Sequence, residues 1–181
     1  MTARHVFVSF ICLLVACLSG CFTSGPEDNA SFGNINALAD LDGIYQNAGD
    51  GGSDSGTLYL SKIVWPKDTT LDHKSIDQIE VRSTNATALT VTARAGGTPV
   101  KVQQFEGGKD FTVRSGRIQL RSYLDGANDN FAGVGYIDVD LGLDVKGDGK
   151  YRESGTFAGV MLLIPVVAGG HSDTRFVRIS R

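Results

Sequence analysis

The chain has 181 residues, 17 basic and 20 acidic side chains, a formal charge of −3, and 41% hydrophobic residues. That mild acidity argues against a surface for nucleic acid or anionic lipid, since both reward clustered positive charge. The length leaves room for one domain that buries roughly 70% of its unfolded surface.

The first feature in chain order is a leader. Arg4 and His5 precede an apolar run of thirteen residues, Val6 to Leu18, and Leu18-Ser19-Gly20 leads into Cys21. A membrane-spanning helix needs about 20 apolar residues, so the run is read as a secretory signal peptide with small residues at its cleavage site. Leu18-Ser19-Gly20-Cys21 resembles the lipobox of bacterial lipoproteins. The resemblance implies removal of residues 1–20, diacylation of the Cys21 sulfur by a covalent diacylglycerol group, and N-acylation of the new amino terminus. It also implies a membrane-anchored protein of the bacterial cell envelope. Phe22 in the place of an inner-membrane retention Asp points to the outer membrane; whether the protein faces the periplasm or the cell surface stays open. Each buried methylene adds about 0.8 kcal/mol, and one myristoyl chain binds only reversibly, so two or three chains make the anchor effectively permanent. The competing reading is an ordinary signal peptide that leaves Cys21 a plain thiol.

Cleavage before Cys21 leaves 161 of the 181 residues, with sixteen basic against 20 acidic side chains and a charge of −4. Cys12 and Cys17 leave with the leader, so the mature chain holds no cysteine pair for an internal disulfide, although export would permit one. Residues 21–40 then carry the lipid and a tether. Thr23, Ser24, Gly25, Pro26, Glu27, Asp28, Asn29 and Ser31 give it the composition of a flexible coil, about 19 residues spanning roughly 25 Å. Residues 41–181 are expected to form a single β-barrel domain. Asn47 to Gly56 reads as a loop, and a helical turn is expected only around Ile35 to Leu41.

From Thr57 onward the apolar period is two. Ile137, Val139, Leu141, Leu143 and Val145 share one face of a strand, with Asp138, Asp140 and Asp144 on the other. Leu89, Val91 and Ala93 alternate with Thr90, Thr92 and Arg94; Val100 and Val102 with Lys101 and Gln103; Ile118 and Leu120 with Arg117, Gln119 and Arg121. Shorter strands are predicted over 58–65, 76–82, 111–114, 151–163 and 175–180. Gly107-Gly108-Lys109-Asp110 and Gly147-Asp148-Gly149 are turn sequences, and short turns make neighbouring strands antiparallel. The predicted class is all-β: an up-and-down meander of about 8 strands, closed or nearly closed into a barrel. Closure would remove the exposed edges. Asp42-Gly43-Ile44-Tyr45 resembles the opening of lipocalins and related small barrels, with Tyr45 where that family usually has Trp. The resemblance implies an Arg from a late strand against the ring, Arg175 or Arg178.

Site chemistry is sparse. Asp144, Lys146, Asp148 and Gly149 have the spacing that opens a calcium loop, but Lys146 occupies a ligand position and Gly155 stands in place of the closing Glu. A hairpin turn is the better reading. The acidic stripe Asp138, Asp140 and Asp144 is expected to pair across strands with Lys150 and Arg152. His73 and His171 are far apart in sequence and form no metal-ligand pattern. No nucleophile motif, and no glycine loop leading into a helix for phosphate, is present. Asn85-Ala86-Thr87 reads as a turn, and Val160 to Val167 as a buried strand ending at Pro165 and turning through Gly169-Gly170, or as an exposed apolar lip. No catalytic or metal residue and no cofactor is therefore expected. The functional expectations, in order, are a non-enzymatic module binding an envelope protein or cell-wall partner, a carrier of a small apolar ligand in a cavity lined by Leu89, Val91, Val139 and Leu141, and a hydrolase.

Overall fold

Sustained alternation of apolar and polar residues becomes strand nearly everywhere in the computed structural model, which describes residues 20–51, 56–125, 131–161 and 164–181. The leader positions Leu18 and Ser19 lie outside the described residues. The strands are β1 (Gly20–Ser24), β2 (Gly43–Gln46), β3 (Asp50–Gly51), β4 (Gln78–Asn85), β5 (Ala88–Ala95), β6 (Thr98–Glu106), β7 (Thr112–Arg114), β8 (Arg117–Asp125), β9 (Phe131–Leu143), β10 (Gly149–Met161), β11 (Ile164–Phe176) and β12 (Arg178–Ser180). The class is all-β, as the alternation predicts.

The strands form two facing sheets. One has the order β1-β11-β10-β9-β8-β7, with β3 continuing the edge that β1 begins along β11; the other has the order β12-β2-β4-β5-β6. Neighbouring strands in both sheets pair antiparallel except β1, which runs parallel to β11. The core lies between the sheets: Ile79, Val91 and Ala93 of one meet Ile137, Val139, Tyr151 and Phe176 of the other. Among the described residues neither sheet closes on itself, which corrects the closed barrel. On one side the chain passes from β11 through Val177 into β12, so a single run serves both sheets. On the other, β6 and β7 are consecutive yet belong to different sheets. Between them the Glu106 carbonyl accepts the N–H groups of Lys109 and Asp110, while the Asp110 carboxylate accepts the Glu106 N–H. That tight turn spends the groups that would otherwise carry β6 pairing onward.

Three segments differ from expectation. Residues 58–65, expected as a strand, hold the helix α1 (Leu60–Val64), because Leu60, Ile63 and Val64 also satisfy the i, i+3, i+4 period. Its first N–H groups are satisfied from a distance: Leu60 N–H donates to the Asn47 carbonyl and Ser61 N–H to Asn47 Oδ1 at 2.7 Å. Asn47 is fully buried, and its amide donates to the carbonyls of His73 and Ile76. On β6 the facing is inverted. Val100 and Val102 are exposed, while Lys101, Gln103 and Phe105 stand opposite the buried Ala93, Val91 and Leu89. Trp65 explains the exchange, for its indole N–H donates to Gln103 Oε1 at 2.8 Å and Lys101 sits over its ring.

The third is residues 21–40, expected as a flexible tether. β1 pairs with β11 from its first residue, Pro26 is buried, and Ile35 and Leu38 join Leu41, Leu89, Phe111 and Ile118 in a second core cluster. The expected turn is present as a 3-10 helix, Leu38–Leu41. Polar composition misleads here because the segment is bound by charge. Asp28 accepts from Arg175 and Lys146, Asn29 donates to Asp173 at 2.8 Å, and the Phe32 ring lies against the cations of Arg117, Lys150 and Arg152. Gly170 permits this crossing: a Cβ there would lie 2.0 Å from the Phe22 carbonyl oxygen. Gly169-Gly170 is therefore not a turn but part of β11, and Pro165 sits near the start of that strand, opposite Val160. Residues 162 and 163 of the apolar stretch lie outside the described residues.

Candidate functional site

Between the sheets the core is incompletely filled. An apolar cavity of about 460 Å³ is lined by Leu41 and Tyr45 at one end, by Leu60, Ile63 and Val64 of α1, and by strands of both sheets, including Ile79, Val81, Phe105, Leu120 and Phe176. The exposed residues in its wall are Pro66, Lys67, Lys109 and Asp110. The opening therefore lies where the loop after α1 approaches the β6–β7 turn, beside the break between the sheets. Leu89, Val91 and Leu141 line the space, as the alternation suggests. Val139 does not; it is fully buried in the packed core. Sequence reasoning missed the wall supplied by α1, whose helical spacing is the signal that would have found it.

One end is closed by a polar clasp around the Gly43-Ile44-Tyr45 strand. Tyr45 is opposite Arg178 in the β2–β12 ladder. The guanidinium lies 5.4 Å from the centre of the Tyr45 ring and donates to the carbonyls of Asp40, at 2.8 Å, and Asp42. The Tyr45 hydroxyl donates to the Leu41 carbonyl at 2.8 Å, and burial pushes its pKa up to about 12. Of the two arginines expected against this ring, Arg178 occupies the position. Arg175 instead holds Asp28 and Asp50.

The charged residues singled out in the sequence serve structure. Asp144 Oδ1 accepts the N–H groups of Lys146 and Asp148 at 2.8 and 3.0 Å, and Asp148 accepts the Arg178 N–H. This is the hairpin turn, with one oxygen of each of the two carboxylates committed to backbone. Asn85 Oδ1 likewise closes its turn on the Thr87 N–H. The expected charge ladder runs on the β9–β11 face, but its centre is Asp173. That fully buried carboxylate takes a two-point contact from Arg152 at 2.6 and 2.7 Å and an ion pair from Lys150 at 2.8 Å. Burial alone would raise its pKa; the hydrogen bonds from Arg152, Lys150 and Asn29 outweigh this and hold it well below the usual carboxylate range. Asp140 is paired more loosely, with Arg117 at 3.9 Å, and burial raises its pKa.

His73 Nδ1 lies 3.0 Å from Ser61 Oγ and His171 is on β11 opposite Ser154; neither lines the apolar cavity. They belong to different elements, and among the described residues no three His, Cys, Asp or Glu side chains converge as a metal site would require. A second recess, of about 580 Å³, is lined by Lys62, Asp72, Lys74 and Glu153 together with Leu58, Tyr59, Leu71 and Tyr151. Cys21 stands on β1, opposite Gly169. No protein-family model, no curated protein and no solved structure matches the chain.

Proposed function

We propose that the chain is a lipid-anchored envelope protein, acylated at Cys21 after loss of residues 1–20, whose domain takes up a small apolar molecule between its sheets. The observation that carries this reading is the cavity of about 460 Å³ and its wall. Its volume falls within the range of sites for small ligands, which are apolar with a few placed polar groups. Its interior wall is largely aliphatic and aromatic, which favours apolar molecules over ordered water. Lys67 and Lys109 at the opening suit a ligand with a polar or anionic end left outside. In this reading the two sheets form a nearly closed, lipocalin-like barrel. The β11–β12 run joins them on one side, and the slot between β6 and β7 is the ligand's entrance. Phe22 after Cys21 favours the outer membrane.

Titration with an apolar, environment-sensitive fluorophore tests the reading. Binding at one hundred times the dissociation constant stabilises by about 2.7 kcal/mol, or about 5–11 °C in a chain of this size. Val91→Phe, which fills the cavity from β5, should abolish both the fluorescence gain and the thermal shift while leaving far-ultraviolet dichroism intact. Equal binding by that variant would reject the cavity as the site. The envelope-partner reading rests on a different feature, an apolar patch on the outer face of the larger sheet.

A further inference from the structure

The outer face of the larger sheet is divided. Its lower half is covered by residues 25–33, bound to Asp173, Arg175, Arg152 and Lys150. Its upper half presents exposed apolar side chains among the described residues. Val134 on β9 is 65% exposed and Val167 on β11 is 59% exposed. Register places both opposite Ala158 of β10, so they form one cross-strand row. Two residues along is the row Tyr136, Thr156, Gly169, Cys21, with Tyr136 46% exposed. The next row, Asp138, Ser154, His171 and Thr23, is polar. Side chains directly opposite one another share a face, so an apolar band gives way to a polar one across Tyr136.

From these rows, and resting on acylation of Cys21, we propose that this face lies on the bilayer surface, with Val134 and Val167 in the outer acyl region and Tyr136 at the headgroup boundary. Three features select a bilayer over another occupant. First, Cys21 stands in the same register row as Tyr136, and three strand spacings of about 4.8 Å separate them. An acyl group on Cys21 therefore brings lipid within about 15 Å of the whole patch. Second, β1 is already paired at Cys21, so no spacer lets the domain stand away from its anchor. Third, the order valine, then tyrosine, then charge matches the polarity profile of an interface, where an aromatic ring with a polar tip occupies the boundary. The chain's mild acidity requires the contact to be apolar, so it should form on uncharged vesicles.

The test uses the acylated protein in zwitterionic phosphatidylcholine vesicles. With Cys12 and Cys17 gone and Cys21 blocked by lipid, Val134→Cys, Val167→Cys and, on the opposite sheet, Val102→Cys each offer one thiol for a polarity-sensitive fluorophore. All three positions are exposed, so the substitutions leave the core alone. Labels at 134 and 167 should shift to the blue and be quenched by brominated acyl chains, while the label at 102 should do neither. Vesicle-bound protein with equal, water-like signals at all three positions would overturn the docking and leave the anchor standing. Protein washed off the vesicles would overturn the anchor, and the docking with it.

Discussion

Replacement of Asp173 by asparagine removes the fully buried carboxylate that pairs with Lys150 and Arg152. Asp173 is fully buried, Lys150 is 4% exposed and Arg152 is partly buried, and all three lie under the segment that Asn29 and Phe32 pin down. Breaking a buried pair by removing one partner costs about 3–5 kcal/mol. Lys150 keeps the Asn29 and Ala30 oxygens as acceptors and Arg152 reaches solvent, so the lower end applies, about 3 kcal/mol. In a chain of this size that lowers the melting temperature by about 6–12 °C. The pH dependence follows from the sign of the shift. The folded carboxyl is depressed, so its stabilisation is complete above the unfolded pKa, about 4, and is lost progressively as pH falls from there through the lower folded value. Melting curves from pH 3 to 8 should therefore show a constant gap between wild type and Asp173→Asn above pH 5, narrowing below 4. A gap under 2 °C at pH 7, or one that closes between pH 5 and 8, would refute this account of the network. A matched apolar set, Asp173→Leu with Lys150→Met and Arg152→Leu, should recover part of the loss.

Asn47→Ala leaves the Ser61 N–H and two carbonyls without their buried partner; at about 1–3 kcal/mol for each orphaned group, partly relieved by relaxation, urea unfolding should report a loss of about 2–4 kcal/mol. Gly170→Ala places a methyl group against the β1 backbone, so hydrogen exchange should lose protection in residues 21–24 while the β4–β5 amides keep theirs. Arg178→Lys cannot span the Asp40 and Asp42 carbonyls and cover Tyr45 together; a loss of about 1–3 kcal/mol is expected, read by thermal denaturation. Asp28, whose pKa is lowered to about 2 by Lys146 and Arg175, should keep residues 26–32 resistant to proteolysis at pH 4, and Asp28→Asn should expose them at neutral pH.

Strands were legible where alternation was long and turns were marked. β9 and β10 follow Ile137 to Leu143 and the glycines at 147 and 149, while the Tyr45–Arg178 contact is one of two that the resemblance of Asp42-Gly43-Ile44-Tyr45 to lipocalin openings implies, Arg175 being the other. What escaped depends on groups distant in sequence. Leu60 to Val64 fits both periods over so few residues, and Asn47, fourteen residues before Ser61, decides for helix. Val100 and Val102 face water because Trp65 needs an acceptor, a demand no window on β6 contains. Residues 22–33 look like a linker in composition, yet their few charged and aromatic groups meet partners far along the chain, from Arg117 to Arg175. The cavity was half legible. Alternation tells which residues point inward, as for Leu89, Val91 and Leu141, but the spacing between sheets decides which of them, unlike Val139, border empty space.

Native mass spectrometry of the protein isolated gently from its source cells tests cavity occupancy most directly. One apolar molecule per chain is predicted, retained by wild type and missing from Val81→Phe, a substitution at a partly buried wall position. Wild type and variant of identical bare-polypeptide behaviour, with no apolar compound recovered from either and none taken up on addition, would contradict it.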